Sequence, residues 1–115
     1  MPREQAVAEL FFALGDSTRL SVVRKLGAGG ELSATMLADG AKVTRQAIVK
    51  HLQVLEGAGL VTHEKRGRDV LYALDTRRIE QARDFLDAVS ASWDRALERL
   101  RHLVEEPSRA PRKRA

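Results

Sequence analysis

Residues 33–68, SATMLADGAKVTRQAIVKHLQVLEGAGLVTHEKRGR, decide the fold. Ser33 is a good helix-capping residue, and the apolar residues after it predict a short helix through residue 38. Thr44 is a second capping residue, and apolar residues spaced three and four apart predict another helix from Thr44 to Ala58. Residues 39–42, DGAK, are typical of a turn. Two helices joined by a short turn predict a helix-turn-helix.

A β-hairpin is predicted directly after these helices. Gly57 and Gly59 end the second helix, and the sequence period then changes from 3.6 residues to two. Alternation over residues 61–66 and again over residues 69–74 surrounds the turn Gly67-Arg68. A hairpin at this place forms the wing of a winged helix-turn-helix.

The remaining elements are helices. Residues 4–14 have helical spacing, and Asp16 or Ser17 can cap a second helix that Gly27, Gly29 and Gly30 end. Residues 31–32 predict a short strand, and a last helix runs from residue 75 or 76 to about residue 105. The predicted fold class is therefore α+β, mostly helical, in the order α-α-α-α-β-β-α with a long terminal dimerisation helix. Residues 1–106 form the predicted domain, and residues 107–115 form a basic disordered tail.

Composition excludes several classes of protein. A chain of 115 residues that is 43% hydrophobic and 31% charged is typical of one ordered domain. The absence of cysteine excludes disulfides and thiolate metal sites. The sequence has neither a membrane span nor a signal peptide, which predicts a cytoplasmic protein without a membrane partner. It also lacks a phosphate loop and a nucleophile elbow, so an enzyme is not predicted.

Positive charge is concentrated in the predicted helix-turn-helix and wing. The net charge is +4, and the tail contributes four bases without an acid. Residues 42–68 carry six bases and only two acids, Glu56 and Glu64. Such a basic segment indicates contact with a polyanion, although chance clustering on a solvated face is the alternative.

The helix at residues 44–58 has a polar face suited to reading bases. Arginine pairs with guanine, glutamine pairs with adenine, and Val49 can touch a thymine methyl group. Thr44 lies at the helix N-terminus, where free N–H groups favour a phosphate. The hairpin tip adds three cations that can reach phosphates or a minor groove. The alternatives are an ordinary amphipathic helix and a charged polar turn. The predicted DNA-contacting residues are Thr44, Arg45, Gln46, Val49, Lys50, Gln53, Lys65, Arg66 and Arg68.

The last helix is too long for so small a domain. Thirty residues span about 45 Å, and apolar residues recur three or four apart through Val104. We expect a second copy of the chain to cover this stripe, together with apolar residues of the first helix. Packing of only the first half within one chain is the alternative. The predicted dimer-interface residues are Val7, Leu10, Phe11, Val89, Trp93, Leu97, Leu100 and Val104.

The sequence from Leu10 to Leu74 resembles the ArsR/SmtB family of bacterial winged-helix repressors. The segments that carry the resemblance are LFFALGDSTRLSVVRKL, ELSATMLADGAKVTRQAIVKHLQVLEGAGLV and HEKRGRDVLYAL. The resemblance implies a repressor that forms a homodimer through its first and last helices and binds double-stranded operator DNA. One departure is Lys42, at a turn position where the family usually has glycine, and Gly40 could supply the bend instead. A second departure is the absence of the cysteine motifs by which many family members bind metal or arsenic.

Two other functions remain as alternatives. His102 has glutamates three and four residues away, and some relatives bind zinc on the last helix, so a metal-responsive repressor is the first alternative. However, such a site usually needs more than one histidine per chain, and we predict no metal and no cofactor. His51 is expected to pack or to contact a phosphate, and His63 to be solvated. A dimeric protein-interaction module without DNA would explain the last helix but not the basic face. The sequence does not identify an effector: an apolar ligand in the dimer core and control by abundance alone are both open.

Overall fold

Within residues 3–105, eight elements follow one another in the order α-α-β-α-α-β-β-α. The computed structural model describes residues 3–105, so the predicted tail lies outside the described residues. The mostly helical winged fold is confirmed, and the short strand expected at residues 31–32 is found one residue later. The elements are α1 (Arg3–Leu14), α2 (Ser17–Gly29), β1 (Leu32–Ser33), α3 (Ala34–Ala38), α4 (Arg45–Gly57), β2 (Val61–Arg66), β3 (Asp69–Leu74) and α5 (Thr76–Glu105).

Side-chain caps explain where three of the helices begin. The carboxylate of Asp16 accepts hydrogen bonds from the first turn of α2, the Ser33 hydroxyl accepts from the Met36 N–H, and the Thr44 hydroxyl accepts from the Ala47 N–H. Each cap satisfies a backbone donor that has no partner inside its helix. Each cap joins residues at most three positions apart, which is why the sequence could predict it. The predicted starts of these three helices are confirmed.

The group of three glycines ends α2, as predicted, but Gly27 itself lies inside the helix, which continues to Gly29. Gly30 is the residue with a left-handed backbone, with φ of 78°, and its N–H donates to the Leu26 carbonyl. Gly27 lies beside Leu74 of β3, since a Cβ atom at Gly27 would be 3.7 Å from the Leu74 side chain. Tertiary packing thus extends the helix past a residue with low intrinsic helix propensity.

The three strands form one antiparallel sheet in the order β1-β3-β2. Val61 pairs with Leu74 at one end of the hairpin, and Arg66 pairs with Asp69 at the turn. Gly67 has a φ of 62°, a conformation that glycine adopts without steric cost, and this glycine closes the tight turn.

The core consists of aliphatic side chains from α1 to β2 and of Ala82 from the start of α5. Ile48, Leu52 and Leu55 of α4 are buried, as the spacing of these residues predicts. Full burial of a leucine contributes about 1.5–3 kcal/mol, so these residues anchor α4 firmly. The other members of the core cluster are Leu10, Ala13, Val22, Leu26, Ala34, Leu37, Leu60, Val61 and Ala82.

The chain divides into two compact units after Ala82, within α5. The first unit holds the helix-turn-helix and the wing, and the second holds most of the long helix. None of the helices within residues 3–105 combines the length and apolar character needed to cross a membrane.

Candidate nucleic-acid interface

The turn between α3 and α4 bends at Gly40. Gly40 has a φ of 75°, and no residue other than glycine in the described range 3–105 has a positive φ. The Ala41 N–H donates to the Ala38 carbonyl at 3.0 Å, which closes the turn. Gly40 therefore supplies the left-handed bend, and Lys42 is not strained at the position where glycine was expected.

The polar face of α4 is exposed, as the sequence predicts. Arg45, Gln46, Lys50 and Gln53 are all exposed, and no acidic residue lies among them from residue 45 to residue 53. Val49 is half-buried and packs against the core cluster, so less of its side chain is free for a partner. The exposed face thus presents two cations and two amides, with Val49 between them.

The N-terminus of α4 has free backbone donors. The Thr44 hydroxyl is exposed but accepts a hydrogen bond from the Ala47 N–H at 3.1 Å. The Ile48 N–H donates to the Thr44 carbonyl. The N–H groups of Arg45 and Gln46 belong to the first turn and have no acceptor within an α-helix. An anion at this end of α4 would therefore accept from these two N–H groups. The Thr44 hydroxyl is already bonded to the Ala47 N–H.

The wing divides its three cations into two kinds. The Arg66 guanidinium donates to both carboxylate oxygens of Glu31, at 2.9 and 2.8 Å, and to Glu64 at 3.2 Å. These bonds, with Glu64 the larger cause, raise the pKa of Arg66 above its ordinary value. Lys65 and Arg68 are exposed, and neither forms an ion pair with any residue between 3 and 105. Free positive charge at the tip therefore comes from Lys65 and Arg68, whereas Arg66 joins the wing to the loop before β1.

The base of the wing is tied to the end of α4. His63 Nδ1 lies 2.8 and 2.9 Å from the two carboxylate oxygens of Glu56, and the His63 ring lies 5.7 Å from the Tyr72 ring. The expectation that His63 is simply solvated is thus incomplete, because the half-exposed ring has two partners. Nothing in the local sequence indicates this pair, since it depends on how β2 leaves α4.

His51 lies away from the exposed face of α4. Its Nδ1 atom is 3.3 Å from a guanidinium nitrogen of Arg19 and 3.9 Å from the Asp16 carboxylate. Asp16 also accepts from the backbone N–H groups of Thr18 and Arg19. The bond from the Arg19 N–H is the main reason that the pKa of Asp16 is lowered, and proximity to His51 contributes. Of the two roles expected for His51, these contacts favour packing.

The predicted dimer-interface residues fall into two groups. Val7 and Leu10 are buried within the chain and Phe11 is half-buried, so α1 offers less apolar surface at these positions than predicted. Phe12 of α1, in contrast, is a large apolar side chain at 74% exposure. Leu10 is a member of the core cluster, which corrects its assignment to an interface.

The last helix keeps its apolar stripe exposed. Trp93 is 65% exposed, and Val104 is 74% exposed. Val89 is half-buried. Phe85, Leu86 and Leu103 were not among the predicted interface residues but are also exposed apolar side chains of this helix. The exposed residues of the predicted stripe are Trp93, Leu97, Leu100 and Val104.

The polar side of α5 carries the histidine and glutamate of the alternative zinc site. His102 Nε2 lies 3.6 Å from Glu98, and Arg101 lies 3.4 Å from the same carboxylate. In the part of the chain that the structure describes, no three His, Cys, Asp or Glu side chains form a group able to hold a metal ion.

Comparison with known proteins gives consistent results for sequence and fold. The model of a helix-turn-helix domain family matches residues 14–64. The chain is 35% identical over 98 residues to the HTH-type transcriptional repressor SmtB of Mycobacterium tuberculosis, and the alignment covers 84% of this chain and 70% of that protein.

Two solved structures are similar over most of the chain. An ArsR-like transcriptional regulator from Rhodococcus sp. RHA1 is 35% identical, with a TM-score of 0.75 and coverage of 90% of this chain and 96% of that one. The homodimeric winged helix-turn-helix DNA-binding domain of a possible ArsR-family regulator from Mycobacterium bovis is 25% identical. It has a TM-score of 0.59, with coverage of 83% and 84%.

Proposed function

We propose, from the premise that this chain belongs to the ArsR/SmtB family of DNA-binding transcriptional regulators, that it represses transcription by binding a palindromic operator as a homodimer. The observation that carries the proposal is the two-sided character of α4. One side is anchored in the core by buried aliphatic residues, and the other presents exposed arginine, glutamine and lysine without an acid. A helix of this kind can enter the major groove as a rigid unit.

Base reading is assigned to the first turns of α4. Arg45 can donate two hydrogen bonds to guanine, and Gln46 can pair with adenine, because both side chains are exposed where recognition helices reach base edges. Lys50 and Gln53 extend the contact along the groove. Val49 completes it through the part of its side chain that remains free. The N–H groups beside Thr44 are proposed to meet a phosphate.

The wing is assigned to the DNA backbone. Lys65 and Arg68 lie at the hairpin tip without intramolecular partners among residues 3–105, so they can neutralise phosphates or enter a minor groove. Arg66 would reach DNA only by leaving Glu31, and we assign it mainly to holding the wing. The predicted tail at residues 107–115 would add salt-sensitive, sequence-independent attraction through its four bases.

Dimerisation is proposed to occur through α5. Several large apolar side chains on this helix are more than half exposed, and a second copy would remove that area from water. The Mycobacterium bovis neighbour is described as homodimeric, which supports the same assembly here. Two recognition helices related by a two-fold axis would meet half-sites about 34–36 Å apart. A regulator that binds DNA in this way is expected to act in the cytoplasm.

Selection of bound fragments from a random DNA pool tests the proposal. The expected result is an imperfect palindrome, bound more tightly than scrambled DNA of the same length. Gln46→Ala should lower operator affinity and relax the preference at particular base positions, since a bidentate contact discriminates by about 1–3 kcal/mol. Gln5→Ala removes an exposed glutamine from α1 and serves as the matched control. Failure to enrich any sequence would favour the protein-interaction module instead.

A further inference from the structure

Arg19 makes contacts with two helices besides its own. It lies in the first turn of α2, and its Nε atom donates to the Ala13 carbonyl while a terminal nitrogen lies 3.5 Å from the Phe12 carbonyl. Both carbonyls belong to the last turn of α1, where the helix itself supplies no N–H donor and where a cation is favourable. The Phe12 carbonyl also accepts from the Gly15 N–H. The planar guanidinium therefore fixes the α1–α2 corner.

The other terminal nitrogen of Arg19 reaches α4. It lies 3.3 Å from His51 Nδ1, and because arginine carries only donors, Nδ1 must be the acceptor. A ring whose Nδ1 accepts this hydrogen bond carries its proton on Nε2. Nε2 has no partner within the described residues 3–105. The contact joins residues that are 32 positions apart.

The position of His51 on α4 explains why this contact matters. At about 100° per residue, His51 lies almost opposite the centre of the face formed by Arg45, Val49 and Gln53. Burial of Leu52 and its neighbours holds α4 against the core, but apolar contact is non-directional and permits small rotations about the helix axis. A hydrogen bond to one ring nitrogen is directional and opposes that rotation.

We propose that Arg19 and His51 are positioning residues, which set the rotation of α4 for base reading without touching DNA. The inference rests on the proposed function, since it assumes that α4 reads an operator. Bidentate base contacts tolerate only small displacements, so a loosened α4 should lose discrimination between sequences before it loses affinity for DNA in general.

The test compares two substitutions of His51 in the full chain. His51→Leu removes the acceptor, whereas in His51→Asn the Oδ1 atom branches from Cγ as Nδ1 does and can accept from Arg19. Loss of a hydrogen bond to a charged group predicts that His51→Leu weakens operator binding about tenfold, with scrambled DNA unaffected. His51→Asn should restore most of the operator affinity. Equal losses on both DNAs, or no rescue by asparagine, would overturn the inference.

A second measurement does not depend on DNA. Nitrogen chemical shifts of the His51 ring in the free wild-type protein should report protonated Nε2 and unprotonated Nδ1, and Arg19→Gln should change the Nδ1 shift. The opposite tautomer would overturn the inference even if His51→Leu were impaired. If wild type itself fails to distinguish operator from scrambled DNA, the proposed function fails and the positioning role fails with it. If wild type distinguishes them and His51→Leu does so equally well, only the positioning role fails.

Discussion

Helices α4 and α5 carry the same apolar spacing but differ in what covers it. In α4, Ile48, Leu52 and Leu55 are at most 1% exposed, because the first unit supplies the packing. In α5, Trp93, Leu97 and Leu100 are each more than half exposed. Apolar residues spaced three and four apart therefore predict that one side of a helix is packed against another surface. They do not show whether that surface belongs to the same chain or to a partner. The burial of each side chain within one chain separates an internal contact from a surface that needs a partner.

The polar sides of the two helices differ as well. From residue 45 to residue 53, α4 has bases and no acid, which suits a polyanion. Residues 83–105 of α5 carry four arginines and five acids, and this mixture does not favour binding to a polyanion. The same pattern of helical amphipathicity thus supports DNA binding in α4 and self-association in α5.

Truncating one leucine in each helix should give the largest difference. Leu52→Ala leaves a cavity in the core and should lower the free energy of unfolding by about 2–5 kcal/mol. Leu100→Ala removes an exposed side chain, and its effect should appear only through the dimer. Urea denaturation at low and high protein concentration measures both. Leu52→Ala should be destabilised at every concentration. If Leu100→Ala lost the same unfolding free energy at low and high protein concentration, Leu100 would not act through a dimer.

A charge placed on α5 should separate the copies. Trp93→Asp puts a carboxylate in the apolar stripe, and sedimentation equilibrium at micromolar concentration should then give the chain mass of 12.8 kDa instead of twice that value. Specific DNA binding should be lost with the dimer, because one recognition helix meets only one half-site. Ser92→Asp introduces the same charge at the neighbouring exposed position and is the control. A wild-type monomer at this concentration would remove the basis of the palindromic operator.

The features predicted from sequence are those that depend on neighbouring residues. Ser33 and Thr44 cap helices through bonds three residues away, so their roles are visible in the sequence. Arg66 and Glu31 are 35 positions apart, and their pairing depends on how the wing folds back. The residue types of the candidate site were therefore predictable, but the division between free and paired cations was not. The extension of α2 past Gly27 likewise depends on β3.

Substitutions of the two wing arginines should have smaller effects on DNA binding, and the two effects should differ. Arg68→Ala should weaken operator and scrambled DNA about equally and reduce the salt dependence by about one unit, since it removes one phosphate contact. Arg66→Ala should change the salt dependence less, because Glu31 and Glu64 already compensate its charge. Salt titrations of both variants on both DNAs give the slopes. A larger slope change in Arg66→Ala would show that Arg66 leaves Glu31 for DNA.

Addition of zinc should leave operator affinity unchanged. His102 and Glu98 are the zinc-ligand types that lie together on α5, and Arg101 already pairs with the Glu98 carboxylate. A tetrahedral site would need further ligands, and the chain has no cysteine to provide them. Two copies could supply two histidines and two glutamates, but Arg101 already lies beside each Glu98 carboxylate and would compete with a metal ion for it. Elemental analysis of the purified dimer should therefore find no stoichiometric zinc. A tight site with one zinc per chain, lost in His102→Ala, would mean that α5 binds metal as well as its partner.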